Sequence, residues 1–155
     1  MKKTFFLLAI LFATFTVTLN SCSKDKDDDP ITLEADYLLK MDGSTVASGT
    51  TDEVGMVGNA ISFSLGEDFG VLITGVPTST GGVATIGDAT SACSVSITGV
   101  NLLENGSDEL YFSISGTVTR STGSKISFEG TCTDLTSSVV HTFSGTVESD
   151  VYKVI

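Results

Sequence analysis

The chain of 155 residues carries 8 Lys plus Arg against 19 Asp plus Glu, a formal net charge of -11, with one His, three Cys and no Trp. That size suits one domain, or a small domain behind a leader. The acidic balance leaves no basic surface to release counterions from a phosphate backbone, which argues against nucleic-acid binding, and one His leaves little for imidazole-based metal or acid-base sites.

Met1-Lys2-Lys3 is a positive start, and Phe5 to Val17 (FFLLAILFATFTV) is an apolar run of the length of a secretory h-region. A helix from Thr4 to Leu19 would rise only about 24 Å at ~1.5 Å per residue, short of the ~30 Å hydrocarbon core. Residues 1–21 therefore read as a signal peptide and not as a permanent span.

The leader ends in Leu19-Asn20-Ser21-Cys22. This resembles the lipobox of bacterial lipoproteins: an aliphatic residue, two small residues and Cys, with Asn20 departing from the usual small residue. The resemblance covers the leader and the short charged segment after it. It implies that Cys22 carries a diacylglyceryl group, that the leader is cut before it, and that the new amino terminus is acylated. Two or three chains, at ~0.8 kcal/mol per buried methylene, hold a protein on a bilayer where one chain binds only reversibly.

Ser23-Lys24-Asp25-Lys26-Asp27-Asp28-Asp29-Pro30 comes next, a charged stretch without an apolar residue, read as a tether because it has nothing to bury. It is similar to the acidic, Lys-containing stretch after the lipid-bearing Cys in Bacteroidetes surface lipoproteins. That likeness implies a lipid-anchored position on the outer membrane, facing the medium. Asp25, Asp27 and Asp29 alternate like the acids opening an EF-hand loop. Pro30 stands where that loop needs Gly and Asp36 where it needs Glu, so no metal site is expected.

From residue 31 to the end, period-two alternation broken by Gly-rich turns predicts one all-β domain. Ile31, Leu33, Ala35, Tyr37, Leu39 and Met41 share a face, and Asp42-Gly43 is a hairpin turn leading toward Val46. Ile61, Phe63 and Leu65 alternate again. Val71 to Val76 is apolar on both faces, as a doubly covered strand is. Residues 77–82 (PTSTGG) form a loop, Val83 to Ile86 a short edge strand, and Cys93, Val95 and Ile97 open another strand.

A weak repeat fills the last third: SISGTVT (113–119), SFEGTCT (127–133) and TFSGTVE (142–148). Its short period is that of successive arms of an antiparallel meander. The apolar side is expected to carry Phe112, Ile114 and Val118, then Ile126, Phe128 and Cys132, then Val139, His141, Phe143 and Val147. Tyr111 falls on the other side, which is otherwise Ser and Thr with Glu129 and Glu148, including the pairs Thr117/Thr119 and Thr131/Thr133. Gly116, Gly130 and Gly145 mark a row where the sheet bends or another backbone comes close. Val151 to Ile155 is apolar enough for a final strand. The expected architecture is an antiparallel β-sandwich of about eight to ten strands, with a small closed β-barrel as the alternative.

Cys93 and Cys132 both fall on core-facing positions, and an exported protein meets an oxidising compartment. A disulfide between them, closing roughly 40 residues, would contribute about 4 kcal/mol in the chain-entropy model; two buried thiols are the alternative. For chemistry the sequence offers little. His141 alternates onto the apolar face beside Phe143, and no G-x-S-x-G, H-E-x-x-H or C-x-x-C occurs. The acid pairs Asp52-Glu53, Glu67-Asp68 and Asp108-Glu109 are the material for carboxylate-based glycoside hydrolysis, but each lies in a turn-like setting. Glycan recognition would rest on Asn59, Asn101, Asn105 and nearby acids, since only Tyr37, Tyr111 and Tyr152 supply amphipathic rings. The T-x-T pairs resemble, over a few residues, the ice-facing arrays of β-rich antifreeze proteins; Thr is also simply at home in a wet sheet face.

The sequence thus points to a non-enzymatic, lipid-anchored binding or accessory module with no cofactor. Its expected partners are the membrane, through Cys22, and a glycan or an envelope protein. A barrel carrying a small hydrophobic ligand, with Phe63, Phe112, Phe128 and Phe143 lining a cavity, is the second reading, and a loop-carboxylate hydrolase the third.

Overall fold

A computed structural model describes residues 34–66, 70–87, 92–100, 103 and 108–153, the side chains of Val100, Asp108, Glu109 and Lys153 excepted. Compact units divide at Met1–Ile31 and Thr32–Ile155, and every described residue belongs to the second. The leader, Cys22, the tether, Glu67-Asp68, Asn101 and Asn105 lie outside the described residues.

Among the described residues ten strands succeed one another: β1 (Ala35–Met41), β2 (Ser44–Thr51), β3 (Val54–Val57), β4 (Ala60–Ser64), β5 (Gly70–Thr74), β6 (Val83–Ile86), β7 (Ser94–Val100), β8 (Asp108–Arg120), β9 (Lys125–Asp134) and β10 (Val140–Ser149). All pair antiparallel in one sheet of order β2-β1-β10-β9-β8-β7-β5-β4-β3, with β6 beside the second half of β8. The two outermost strands of that order, β2 and β3, are separated in the chain only by Asp52 and Glu53. Three peptide steps span at most about 11 Å, whereas eight strand spacings of ~4.8 Å would put the edges of a flat sheet roughly 38 Å apart. The sheet must therefore curl until its edges nearly meet. The all-β class and strand number are as expected, and the architecture is the alternative one: a nearly closed barrel built from one sheet, not two facing sheets.

Alternation explains most of the core. Ala35, Leu39 and Met41 of β1, Ile61 and Phe63 of β4, Val71 and Ile73 of β5, Val95 and Ile97 of β7, and Ile126, Phe128 and Cys132 of β9 are buried, as are Phe143 and Val147 of β10. Each such aliphatic or aromatic side chain contributes about 1.5–3 kcal/mol by leaving water. Tyr37, Phe63, Phe128 and Phe143 make a chain of tilted ring contacts, with centroids 6.2, 6.4 and 6.3 Å apart, that occupies the barrel's middle. The β1–β2 turn is as read: Asp42 (φ 49°) and Gly43 (φ 82°) both lie at positive φ, the geometry that suits the twist of a two-residue hairpin.

In β8 the expected faces are reversed for its first half. Tyr111 is buried, whereas Phe112 and Ile114 are exposed. The β8–β9 register slips between Ser113 and Ser115, and such a bulge inserts one residue and exchanges the two faces. Past it Val118 and Arg120 point inward, so strict alternation is right for Val118 and wrong for Phe112, Ile114 and Tyr111. The inward Ser113 hydroxyl accepts the Val95 N–H at 2.8 Å, standing in for a backbone acceptor where the strands part. Val139 is also exposed, because it sits in the turn before β10 begins.

The first three residues of the expected final strand, 151–153, do not form one, and Val154 and Ile155 lie outside the described residues. After Ser149, whose hydroxyl donates to the Glu34 carbonyl at 2.6 Å, the backbone tightens into a 3-10 turn, Asp150–Lys153, that packs against β3 and fully buries Tyr152.

No disulfide joins Cys93 and Cys132, both of which are buried. Cys93 immediately precedes β7 and Cys132 lies in β9, with β8 between them. Two strand spacings amount to roughly 10 Å, beyond the ~7 Å Cα separation a disulfide spans.

Candidate functional site

The glycines of the repeat shape the outer wall. Gly116 of β8 pairs with Gly130 of β9, while Gly145 of β10 pairs with Phe128, so two glycines make a row and the third is displaced by one step of alternation. A Cβ on Gly116 would come within 2.0 Å of the Glu129 carbonyl, and one on Gly145 within 2.4 Å of the Phe128 ring. The strands close up where side chains are missing, and Phe128 fills the space Gly145 leaves. Outside, over β1, β10, β9 and β8, the same region is an open trough.

The trough is a ladder of rows that are polar except for Leu38. Lys40, Ser144, Glu129 and Thr117 stand side by side across the four strands; Leu38, Thr146, Ser127 and Thr119 form the next row. These line a depression of about 380 Å³. A contiguous depression of about 490 Å³ continues past Thr131 and Thr142 to Gly43. Both volumes fall in the range of small-ligand sites. The T-x-T pairs do face outward as expected, but on a concave surface and not a flat lattice. Beyond the trough's upper end lies an apolar row, Phe112 and Val140 on either side of Thr133, joined by Ile114 and by Leu135 and Val139 of the β9–β10 turn, all exposed. This rim is at the barrel end remote from Glu34, where the described chain enters beside Ser149.

A polar clamp braces that end. Asp42, in the β1–β2 turn, accepts from His141 Nδ1 at 2.7 Å and from the Thr142 backbone N–H at 2.9 Å. The His141 hydrogen bond, then that of Thr142, holds the Asp42 carboxyl below its ordinary pKa, so the carboxylate can only accept and Nδ1 carries the proton. The His141 ring meets Tyr111 edge-on, with centroids 5.5 Å apart. Asp134 plays the same part for the β9–β10 turn. It accepts from the Ser137 hydroxyl and from the backbone N–H of Thr136 and Ser137, and these bonds lower its pKa.

Both carboxyls are depressed in the folded state, so their contribution to stability is complete above the unfolded value near 3.9 and is lost as pH falls through the lower folded values. Urea unfolding midpoints are expected to drop between about pH 4 and pH 2. The Asp42→Asn, Asp134→Asn double variant should lose less over that interval, and an equal fall in both proteins would refute the clamp.

Cys132 stands opposite His141 in the β9–β10 ladder, so Cys, His and Asp are neighbours here. Burial, and after it the Asp42 charge, pushes the Cys132 thiol up to about 11; burial raises Cys93 as well. A nucleophilic thiol requires the opposite shift. In a Cys22→Ala chain, thiol titration with DTNB is expected to show almost no reaction in the native state at pH 7.5 and two equivalents in denaturant. Two equivalents in the native state, or none after unfolding, would contradict these positions.

Of the other sequence candidates, Asp52 and Glu53 are exposed in the link between β2 and β3, and Asn59 is exposed in the β3–β4 turn. Phe112 lies outside the barrel, and Phe63, Phe128 and Phe143 pack in its interior with Tyr37. Among the described residues no group of three or more His, Cys, Asp or Glu is placed to hold a metal ion. Alternation marked the hydroxyl face, whereas the trough and the Asp42–His141 contact were beyond it: the contact joins positions 99 residues apart.

No protein family, no characterised protein and no solved structure matches the chain.

Proposed function

We propose that the protein is a lipid-anchored, non-enzymatic binding module of the outer membrane, facing the medium. In this reading Cys22 carries the acyl chains, residues 23–30 are the tether, and the barrel presents its trough and apolar rim to a partner. One observation carries the binding part: the exposed cluster of Phe112, Ile114, Leu135, Val139 and Val140 is gathered at the end away from Glu34. Contiguous apolar side chains rimmed by polar ones are the usual mark of an interaction surface. The lipobox-like LNSC and the acidic stretch after it support the anchor.

Labelling of growing cells with [3H]palmitate tests the anchor: incorporation is expected in the native chain and none in Cys22→Ala, and equal labelling of both removes it. Crosslinking on intact cells, then affinity capture, tests the surface. A partner retained by the native chain and lost in the Leu135→Asp, Val140→Asp double variant is the expected result; identical captures from both would remove the rim from the interaction.

A further inference from the structure

The geometry points to the trough over β1, β10, β9 and β8 as a binding site for an extended, uncharged glycan chain, with Glu129 and Lys40 as its two polar anchors. The inference rests on the binding-module reading above and names the ligand class for one part of its surface.

The lining decides the class. Thr117, Thr119, Ser144 and Thr146 offer hydroxyls that hold no side-chain partner among the described residues, and Ser127 meets only Ser121, at 3.3 Å. A hydroxyl both donates and accepts, so such a surface is complementary to a ligand whose own groups do both. Glu129 on β9 and Lys40 on β1 flank Ser144 from opposite sides. A carboxylate can accept from two neighbouring hydroxyls of one sugar ring, and an ammonium can donate to ring and hydroxyl oxygens; both bonds are charge-assisted.

Other chain-like ligands fit worse. Anionic polymers meet a protein of net charge -11 whose trough holds one cation balanced by one carboxylate. An acyl chain would find Leu38 and the edges of two buried rings, Phe128 and Phe143, as apolar lining. A peptide adding as a strand needs an unpaired backbone edge, but each of the four strands is flanked on both sides within the sheet. The trough is about three strand spacings, roughly 14 Å, wide, and it stays open along the strands toward Gly43. That form admits a chain and not only a terminal sugar.

The full chain in detergent micelles, titrated calorimetrically with cellohexaose, maltohexaose, mannohexaose and hexa-N-acetylchitohexaose and with anionic hexagalacturonate, tests the inference. At least one uncharged hexamer is expected to bind and hexagalacturonate not to. Affinity should fall at least tenfold in Glu129→Gln, and in the Thr117→Val, Ser144→Val double variant. It should be unchanged in Thr78→Val, in the loop after β5. Glu129 is exposed, so Gln keeps the fold, and unchanged melting temperatures establish that each loss is one of binding. Absence of binding by all four uncharged hexamers at millimolar concentration, preference for the anionic one, or affinity insensitive to the trough variants would overturn it. If the hexamers fail while a partner is still captured through Leu135 and Val140, the glycan assignment falls and the binding module stands. If both fail, the module falls too.

Discussion

An Arg120→Met chain is expected to lose about 3–5 kcal/mol of unfolding free energy, a large share of the 5–15 kcal/mol typical of a domain. Arg120 is buried at the end of β8, and its guanidinium donates to the carbonyls of Pro77, Gly123 and Tyr152, each at 2.7 Å. Those carbonyls belong to the loop after β5, the β8–β9 turn and the closing 3-10 turn, so one side chain fastens three segments over the barrel end where the chain enters. Burial lowers the guanidinium's pKa, yet the group stays charged and its bonds are of the stronger, charge-assisted kind. Met would fill the volume and leave the carbonyls without donors, which costs more than the removed charge returns. Urea unfolding at pH 7 measures the difference, and a loss under about 1 kcal/mol would show that the clamp is not what holds this end. Tyr152→Phe is the contrast: the buried Tyr152 hydroxyl finds no hydrogen-bond partner among the described residues, so its removal is expected to be neutral or to stabilise by up to about 1 kcal/mol.

Alanine at Gly116 is expected to be as damaging, because two faults combine there. Its φ of +139° is strained for any residue with a Cβ, and that atom would lie 2.0 Å from the Glu129 carbonyl oxygen and 2.6 Å from the Gly130 Cα. At Gly130 the added atom would sit 1.9 Å from the Ser115 carbonyl oxygen. These contacts are with paired backbone, which cannot turn aside as a flexible side chain can. A loss above about 3 kcal/mol at each position, or on the order of 10–20 °C in Tm, is the expected result. Gly123, in the β8–β9 turn, has nothing within 4 Å of such an atom, and Gly123→Ala should stay within about 0.5 kcal/mol. Thermal unfolding of the three variants decides the matter. If Gly116→Ala and Gly123→Ala melt together, the glycines do not hold the strands at close approach.

These two effects differ in how far the chain alone announces them. The repeated glycines stand out by position, and mid-strand Gly has few causes besides a bend or a close approach. Arg120 shares a face with Val118, but nothing local says that three distant carbonyls converge on it. The faces of β8 fail for a related reason. A bulge leaves no mark in the period-two pattern except the exchange it produces, and Tyr-Phe at 111 and 112 offers one large ring to either face. Of the site, the hydroxyl surface was legible because alternation separates Ser and Thr from the apolar set. Its concavity was not, since curvature belongs to four strands at once. Strand β3 gives too short a signal to be singled out, and the Cys93–Cys132 pairing fails on strand order, which alternation does not contain.

The amino-acid sequence by itself determined the strand class, the inward residues of β1, β4, β7, β9 and β10, the Asp42-Gly43 turn and the acidic character, because turns and two-residue periodicity are local properties of the chain. Only the tertiary structure decided that one sheet closes on itself, that Arg120 is drawn inside, that His141 meets Asp42, and that the outer wall sinks into a trough. Each of these depends on which strands become neighbours, and pairing energies between strands far apart in the chain are set by the whole barrel's packing, not by any segment's own preference.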